Sequence, residues 1–145
     1  MKKVYAILFF TLALLVSVCL FAQKPNPSDS LPPPAKTFLT KHFNNRKIYR
    51  VKYNQKNGEW EVQLINGIEI EFDYNGHWFG IDGEMQPLPK SIIDMLPEKI
   101  TTYIAKNYPR RAIIKIEREP YGYEIELSNS VELLFDHKGR FLKKD

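Results

Sequence analysis

The sequence predicts an α+β fold in which one unit, a helix followed by a four-stranded antiparallel meander, occurs twice. Three Asn-Gly pairs, at residues 57–58, 66–67 and 75–76, recur at nine-residue steps, and such pairs favour tight β-hairpin turns. Between them apolar and polar residues alternate, as on strands with one buried face. A similar series follows after residue 87. These observations predict a curved sheet of about eight strands with the helices on one side.

The strands are marked by apolar residues at every second position. In the first unit these are Tyr49, Val51 and Tyr53; Trp60, Val62 and Leu64; Ile68, Ile70 and Phe72; and Trp78. In the second they are Ala112, Ile114 and Ile116; Tyr123, Ile125 and Leu127; and Val131, Leu133 and Phe135. We predict one domain over residues 34–145, with repeat one at 34–86 and repeat two at 87–145. Three helical segments are predicted, at 34–43, 91–96 and 98–107.

Residues 1–22 have the features of an export signal, because Lys2 and Lys3 precede an apolar stretch that ends at Ala22. That stretch is also long enough for an uncleaved membrane anchor. Cys19 raises the alternative of a lipoprotein, although Val18 does not suit that signal. We predict cleavage, hence a periplasmic or secreted protein with no membrane attachment. Residues 23–33, rich in Pro and Ser, are predicted to be a flexible leader.

The composition excludes several classes of function. Cys19 is the only cysteine, so residues 23–145 hold no disulfide, thiol nucleophile or cysteine metal site. The formal net charge is +4, of which Lys2 and Lys3 contribute two, and so nearly neutral a domain does not favour nucleic acid.

No catalytic constellation is recognisable. His42, His77 and His137 are the only imidazoles, and none stands in a hydrolase motif or at metal-ligand spacing. The glycines fall singly at predicted turns rather than in a phosphate-binding loop. We therefore predict that the protein is not an enzyme and holds no metal and no cofactor.

The face of the sheet that is out of phase with the apolar series is mostly charged. Its acids include Glu61, Glu69, Glu71, Asp73, Glu124, Glu126, Glu132 and Asp136, with Arg50, Lys52 and Lys115 as cross-strand partners. Apolar side chains that interrupt this face are predicted to form a partner-binding patch: Ile48, Phe79, Ile113, Leu134 and Leu142. The alternatives are that they cover the junction between the repeats, or that the register shifts by one residue near a strand end.

Two motifs carry a resemblance to a known family. They are Asn57-Gly58-Glu59-Trp60-Glu61-Val62 and Glu69-Ile70-Glu71-Phe72-Asp73 with Asn75-Gly76, repeated as Gly122-Tyr123-Glu124-Ile125-Glu126-Leu127 and Glu132-Leu133-Leu134-Phe135-Asp136 with Gly139. The chain thereby resembles the PepSY-like, β-lactamase-inhibitor-like proteins exported by Bacteroidetes. The resemblance implies tandem helix-and-sheet repeats and a concave sheet that grips a target protein.

We therefore expect an exported, non-catalytic binding module. It would recognise a protein or peptide of the cell envelope through the open face of its sheet, and could restrain an envelope enzyme. The alternative is a carrier or sensor of a small amphipathic ligand held between helices and sheet.

Overall fold

A computed structural model describes residues 27–145 of the protein. The predicted export signal and residues 23–26 lie outside this range. After a short 3-10 helix, Pro27–Ser30, repeat one contains α1 (Pro33–Phe43), β1 (Ile48–Asn54), β2 (Glu59–Leu64), β3 (Glu69–Phe72) and β4 (Trp78–Asp82). Repeat two contains α2 (Lys90–Ile93), α3 (Glu98–Asn107), β5 (Ile113–Glu119), β6 (Gly122–Leu127), β7 (Glu132–Asp136) and β8 (Phe141–Lys144).

All eight strands form one antiparallel sheet in sequence order, β1 to β8. Strand β4 of repeat one pairs with β5 of repeat two, so the two meanders join edge to edge. Strands β1 and β8 are the two ends of the sheet. The predicted fold class, an α+β protein with tandem units and about eight strands, is confirmed.

The helices pack on one face of the sheet over a single apolar core. Buried side chains of all three helices share one cluster with the strands. In repeat one, Phe38 of α1 meets Phe72 edge-on, with ring centroids 5.7 Å apart. In repeat two, Tyr103 of α3 meets Phe135 edge-on at 5.5 Å. The sheet is therefore covered on its helical side by equivalent contacts in both repeats.

The turn after the third strand of each repeat is built in the same way. The Oδ1 atom of Asp73 accepts the backbone N–H groups of Asn75 and His77, and Asp136 does the same for the N–H groups of residues 138 and 140. The glycine in this turn has a φ of +87° at Gly76 and +74° at Gly139. Such values favour glycine, because a Cβ atom crowds the backbone there.

The end of the predicted leader is folded, so that part of the prediction is wrong. Leu31 is only 2% exposed and belongs to the core, and the Lys36 ammonium group donates to the Asp29 carbonyl at 2.9 Å. The physical reason is that Leu31 supplies apolar surface before α1, as Leu96 does before α3.

Two equivalent bulges shift the alternation of side chains at the start of each repeat's first strand. The register slips by one residue between Ile48 and Arg50 and again between Ile113 and Lys115. A bulge inserts one unpaired residue and so reverses the face on which the residues before it lie. This shift decides which apolar residues remain on the open side.

Candidate functional site: the open face of the sheet

The open face is the side of the sheet opposite the helices, and cross-strand pairing arranges its side chains in two rows. Row one crosses all eight strands through Lys52, Glu61, Glu71, Gly80, Glu117, Glu124, Leu134 and Lys143. Row two runs beside it through Arg50, Gln63, Glu69, Asp82, Lys115, Glu126 and Glu132. The rows stand two residues apart along each strand, hence roughly 7 Å.

Carboxylates oppose each other at four places in these rows. The directly paired residues are Glu61 with Glu71, Glu69 with Asp82, Glu117 with Glu124, and Glu126 with Glu132. Like charges directly opposite each other on neighbouring strands destabilise a sheet. The open face therefore carries an arrangement that the fold itself does not need.

Basic side chains neutralise only part of this charge. Lys52 and Arg50 approach the Glu61 carboxylate at 2.8 and 3.3 Å, and Lys115 approaches that of Glu117 at 3.0 Å. Arg50 and Lys52 thus pair with Glu61 across strands as predicted, whereas Lys115 pairs with Glu117 of its own strand. Within residues 27–145, neither Glu69 nor Glu71 forms an ion pair.

Burial and the crowding of carboxylates raise the pKa of two of these acids. Partial burial raises the pKa of Glu71, and the charges of Glu117 and Glu69 raise it further. Burial likewise raises the pKa of Glu69, with Glu61 adding to the effect. A raised pKa means that the charged form is held at a cost in free energy.

A hollow lies between the two rows at the centre of the sheet. It is a cavity of about 130 Å³ around Gly80, lined by the four acids Glu69, Glu71, Asp82 and Glu117 and by one base, Lys115. The Glu71 carboxylate lies over Gly80, in the space that a Cβ atom would fill. Because Gly80 has no side chain, the Glu71 carboxylate can lie there, and the hollow beside it is lined mainly by carboxylates.

Phe79 and Leu142 are the predicted patch residues that remain accessible on the open face. Each is the extra residue where the register shifts between the third and fourth strands of its repeat. Their neighbours Trp78 and Phe141 pack on α1 and α3, so Phe79 and Leu142 point the other way. Leu142 is 50% exposed, and Phe79 is half-buried outside the core cluster.

Leu134 also lies on the open face but is covered. It stands between Glu124 and Lys143 in row one and is only 8% exposed, although it is not part of the helical core. A charge at this position would therefore be buried, so replacing Leu134 cannot report on binding alone.

Ile48 and Ile113 are not on the open face, so their prediction as patch residues is wrong. Ile113 is 7% exposed within the core, and Ile48 packs against that core. The bulges described above turn both side chains toward the helices. Tyr49 and Ile114, the next residues, point away from the core instead. Tyr49 is 67% exposed, whereas Ile114 is buried but does not belong to the core cluster. No pattern in the sequence marks these bulges.

The histidines stand in three unrelated environments. His42 packs on Phe38 with ring centroids 4.7 Å apart, and burial followed by the charge of Lys41 lowers its pKa. His77 lies 3.4 Å from the Asp73 carboxylate, and His137 contacts the carbonyl of Pro120 at 2.9 Å. Within residues 27–145, no group of three or more His, Cys, Asp or Glu side chains is placed to hold a metal ion.

A groove lies on the helical side of the protein. It has a volume of about 680 Å³ and lies between α2, α3 and the start of β5. The apolar lining consists of Leu88, Ile93, Leu96, Ile104, Tyr108 and Ile113, and Lys90 and Arg111 are also lining residues.

Among the helices of residues 27–145, none is long and apolar enough to cross a membrane.

Fold and face together define the class: two tandem helix-over-sheet units that present one wide, charged sheet surface. A family model described as "Putative beta-lactamase-inhibitor-like, PepSY-like" matches residues 22–64 and 58–143. The chain belongs to this family, and the family predicted from the sequence motifs is confirmed.

Three solved structures from Bacteroides are similar to the chain. A "putative periplasmic protein of unknown function" from Bacteroides vulgatus is 34% identical with a TM-score of 0.72, over 81% of this chain and 94% of that one. A "putative calcium-regulated periplasmic protein" from Bacteroides thetaiotaomicron is 34% identical with a TM-score of 0.72, over 80% and 91%. A second Bacteroides vulgatus "putative periplasmic protein" is 32% identical with a TM-score of 0.70, over 79% and 90%. No curated protein matches the chain.

Proposed function

We propose that this protein is an exported, non-catalytic binding module that docks a protein or peptide of the cell envelope on the open face of its sheet. The export signal predicted at residues 1–22 and the periplasmic names of its relatives support a periplasmic or secreted location. The family's inhibitor-like description supports a binding role, in which the docked partner could be an envelope enzyme that the module restrains.

The observation that carries the proposal is the set of like-charged pairs on the open face. Four carboxylate pairs stand directly opposite each other there, although such pairs reduce the stability of a sheet. Natural proteins break local rules of stability mainly at functional sites. The accessible side chains of Phe79 and Leu142 add apolar contact area to the same face.

Binding would be steric and complementary rather than chemical. Apolar residues on the open face supply area that a partner removes from water, while the charged rows fix its orientation and exclude wrong partners. The absence of a recognisable nucleophile, base and orienting acid in the sequence is the reason for proposing no catalytic activity.

Site-specific photocrosslinking tests the proposal. A photoreactive phenylalanine analogue would replace Leu142 on the open face or, as a matched control, Thr102 on α3, which is exposed on the helical side. The purified variants would be irradiated in an envelope extract of the host, and captured proteins would be identified and repurified for direct binding. We expect one partner crosslinked from position 142 and not from 102. Equal yields at both positions, or crosslinks from 102 alone, would contradict docking on the open face.

The groove of about 680 Å³ favours a second candidate function, that of a carrier for a small amphipathic ligand. Its apolar lining between helices and sheet suits a short acyl chain. A rise in melting temperature on adding decanoate, lost in Ala105→Trp, would favour this alternative because Ala105 is an exposed lining residue. The same measurement with Thr102→Trp would control for the added indole.

A further inference from the structure

We propose that the segment docked on the open face is cationic and extended, with basic side chains at two positions separated by one residue and an apolar side chain two residues further on. This inference rests on the proposed function and specifies the chemistry of the partner. It follows from the distribution of charge, from the spacing of the two rows and from the position of Phe79.

Charge is segregated between the two sides of the protein. The alternation of side chains along each strand assigns ten acids to the open face: Glu59, Glu61, Glu69, Glu71, Asp82, Glu117, Glu119, Glu124, Glu126 and Glu132. It carries four bases: Arg50, Lys52, Lys115 and Lys143. The helical side has the opposite balance, with exposed lysines such as Lys41, Lys99 and Lys106. A cationic partner is therefore steered to the open face, and an anionic one is directed away from it.

The partner would supply the counter-charges that the sheet lacks. Glu69 and Glu71 have no ion-pair partner among residues 27–145, and each stands opposite or beside another carboxylate. A guanidinium or ammonium group between the rows would replace repulsion by attraction. Arginine suits this place best, because its planar fork can bind two carboxylates at once.

The spacing of the rows selects an extended segment. On strand β4, Asp82 belongs to row two, Gly80 to row one, and Phe79 follows beside row one. Alternate side chains of an extended peptide stand roughly 7 Å apart, which equals the distance between the rows. A segment lying along β4 would therefore place one basic side chain over each row. The next side chain of the segment that faces the sheet would lie near Phe79.

The hollow at Gly80 provides room for the basic group of row one. The Glu71 carboxylate lies over Gly80 and Glu117 lines the same hollow, so a basic group entering from the open side would meet both carboxylates. The equivalent position in repeat two is Lys143, opposite Leu134. The cationic segment is therefore assigned to repeat one and the central strands rather than to the β8 end.

The test is an NMR titration of the purified exported protein with three capped pentapeptides. The probe is Arg-Ser-Arg-Ser-Leu, the spacing control is Arg-Arg-Ser-Ser-Leu, and the charge control is Gln-Ser-Gln-Ser-Leu. We expect shifts centred on Gly80, Glu71 and Glu117, with the probe bound about fivefold more tightly than either control. Raising the salt concentration from 20 to 200 mM should weaken the probe, because exposed charges are screened.

Matched variants complete the test. Glu71→Gln should weaken the probe about fivefold, whereas Glu98→Gln on the exposed side of α3 should leave its affinity unchanged. Shifts on the helical side, equal affinity for all three peptides, or insensitivity to Glu71→Gln would overturn the inference. So would a concentration-dependent dimer with the open face covered, which would make a second copy the occupant. A partner crosslinked from position 142 in high salt, and unaffected by Glu71→Gln, would leave the proposed function standing without its cationic partner.

Discussion

The two repeats share a set of equivalent contacts on the helical side of the sheet and differ on the open face. Phe38, Phe72 and Trp78 form an aromatic cluster under α1, and Tyr103, Phe135 and Phe141 form its equivalent under α3. The turn built on Asp73 is repeated at Asp136. Both repeats also have a bulge in the first strand and another register shift between the third and fourth.

The open face does not keep this symmetry. Glu71 opposite Gly80 in repeat one corresponds to Leu134 opposite Lys143 in repeat two, and exposed Tyr49 corresponds to buried Ile114. Packing in the core restricts side-chain volume at every position it contacts, whereas the open face has no such constraint. The difference teaches that the contacts on the helical side, which occur in both repeats, specify the fold. The residues of the open face are free to vary and to form a recognition surface.

The largest expected effect tests whether the two halves share one core. Phe72→Ala and Phe135→Ala each remove a fully buried ring, so each should lower the free energy of unfolding by about 3–5 kcal/mol. Urea unfolding followed by circular dichroism measures this loss, and a single transition is expected because one cluster spans both repeats. Leu142→Ala, at a 50% exposed position, is the control and should change stability by less than about 0.5 kcal/mol. Two separate transitions would show that the repeats fold independently.

An intermediate effect is expected where a turn packs on a helix. In Gly76→Ala the new Cβ atom would lie 2.9 Å from the Ala35 nitrogen and 2.9 Å from the Pro32 Cβ. Positive φ costs about 1 kcal/mol for alanine, and this overpacking adds about 1–2 kcal/mol. Gly58→Ala is the matched control, since its φ is +74° but its nearest neighbour would be 3.4 Å away. Equal losses in the two variants, measured by thermal unfolding, would show that the contact with α1 is not restrictive.

The smallest effect is a gain in stability on the open face. Because the pKa of Glu71 is raised in the folded state above its ordinary value of 4.5, its charge opposes folding once the pH exceeds that value. Glu71→Gln should therefore be more stable than the wild type by about 0.5 kcal/mol or less at neutral pH. The gain should vanish as the pH falls below about 4.5, where the carboxyl is protonated in both states. A gain that persists at low pH would point to a cause other than charge.

The sequence alone determined the fold because its signals are local and repeated. Asn-Gly pairs select the hairpin turns, alternation marks the strand faces, and prolines mark the starts of α1 and α3. The prediction of helix 98–107 agrees with α3 as observed. The family followed from the same repeated motifs, since these lie in the turns and strands that define the architecture.

The tertiary structure decided which side chains form the open face. A bulge in an antiparallel pair depends on how two strands fit together, so the one-residue shifts that move Ile48 and Ile113 into the core leave no mark in a single strand's alternation. Of the five predicted patch residues, Phe79, Leu134 and Leu142 lie on the open face, and only pairing across the sheet showed that Leu134 is covered there. The like-charged pairs likewise became visible only once the strands were aligned, because a carboxylate's cost depends on what stands opposite it. Local chemistry therefore fixed the architecture, whereas non-local register fixed the surface.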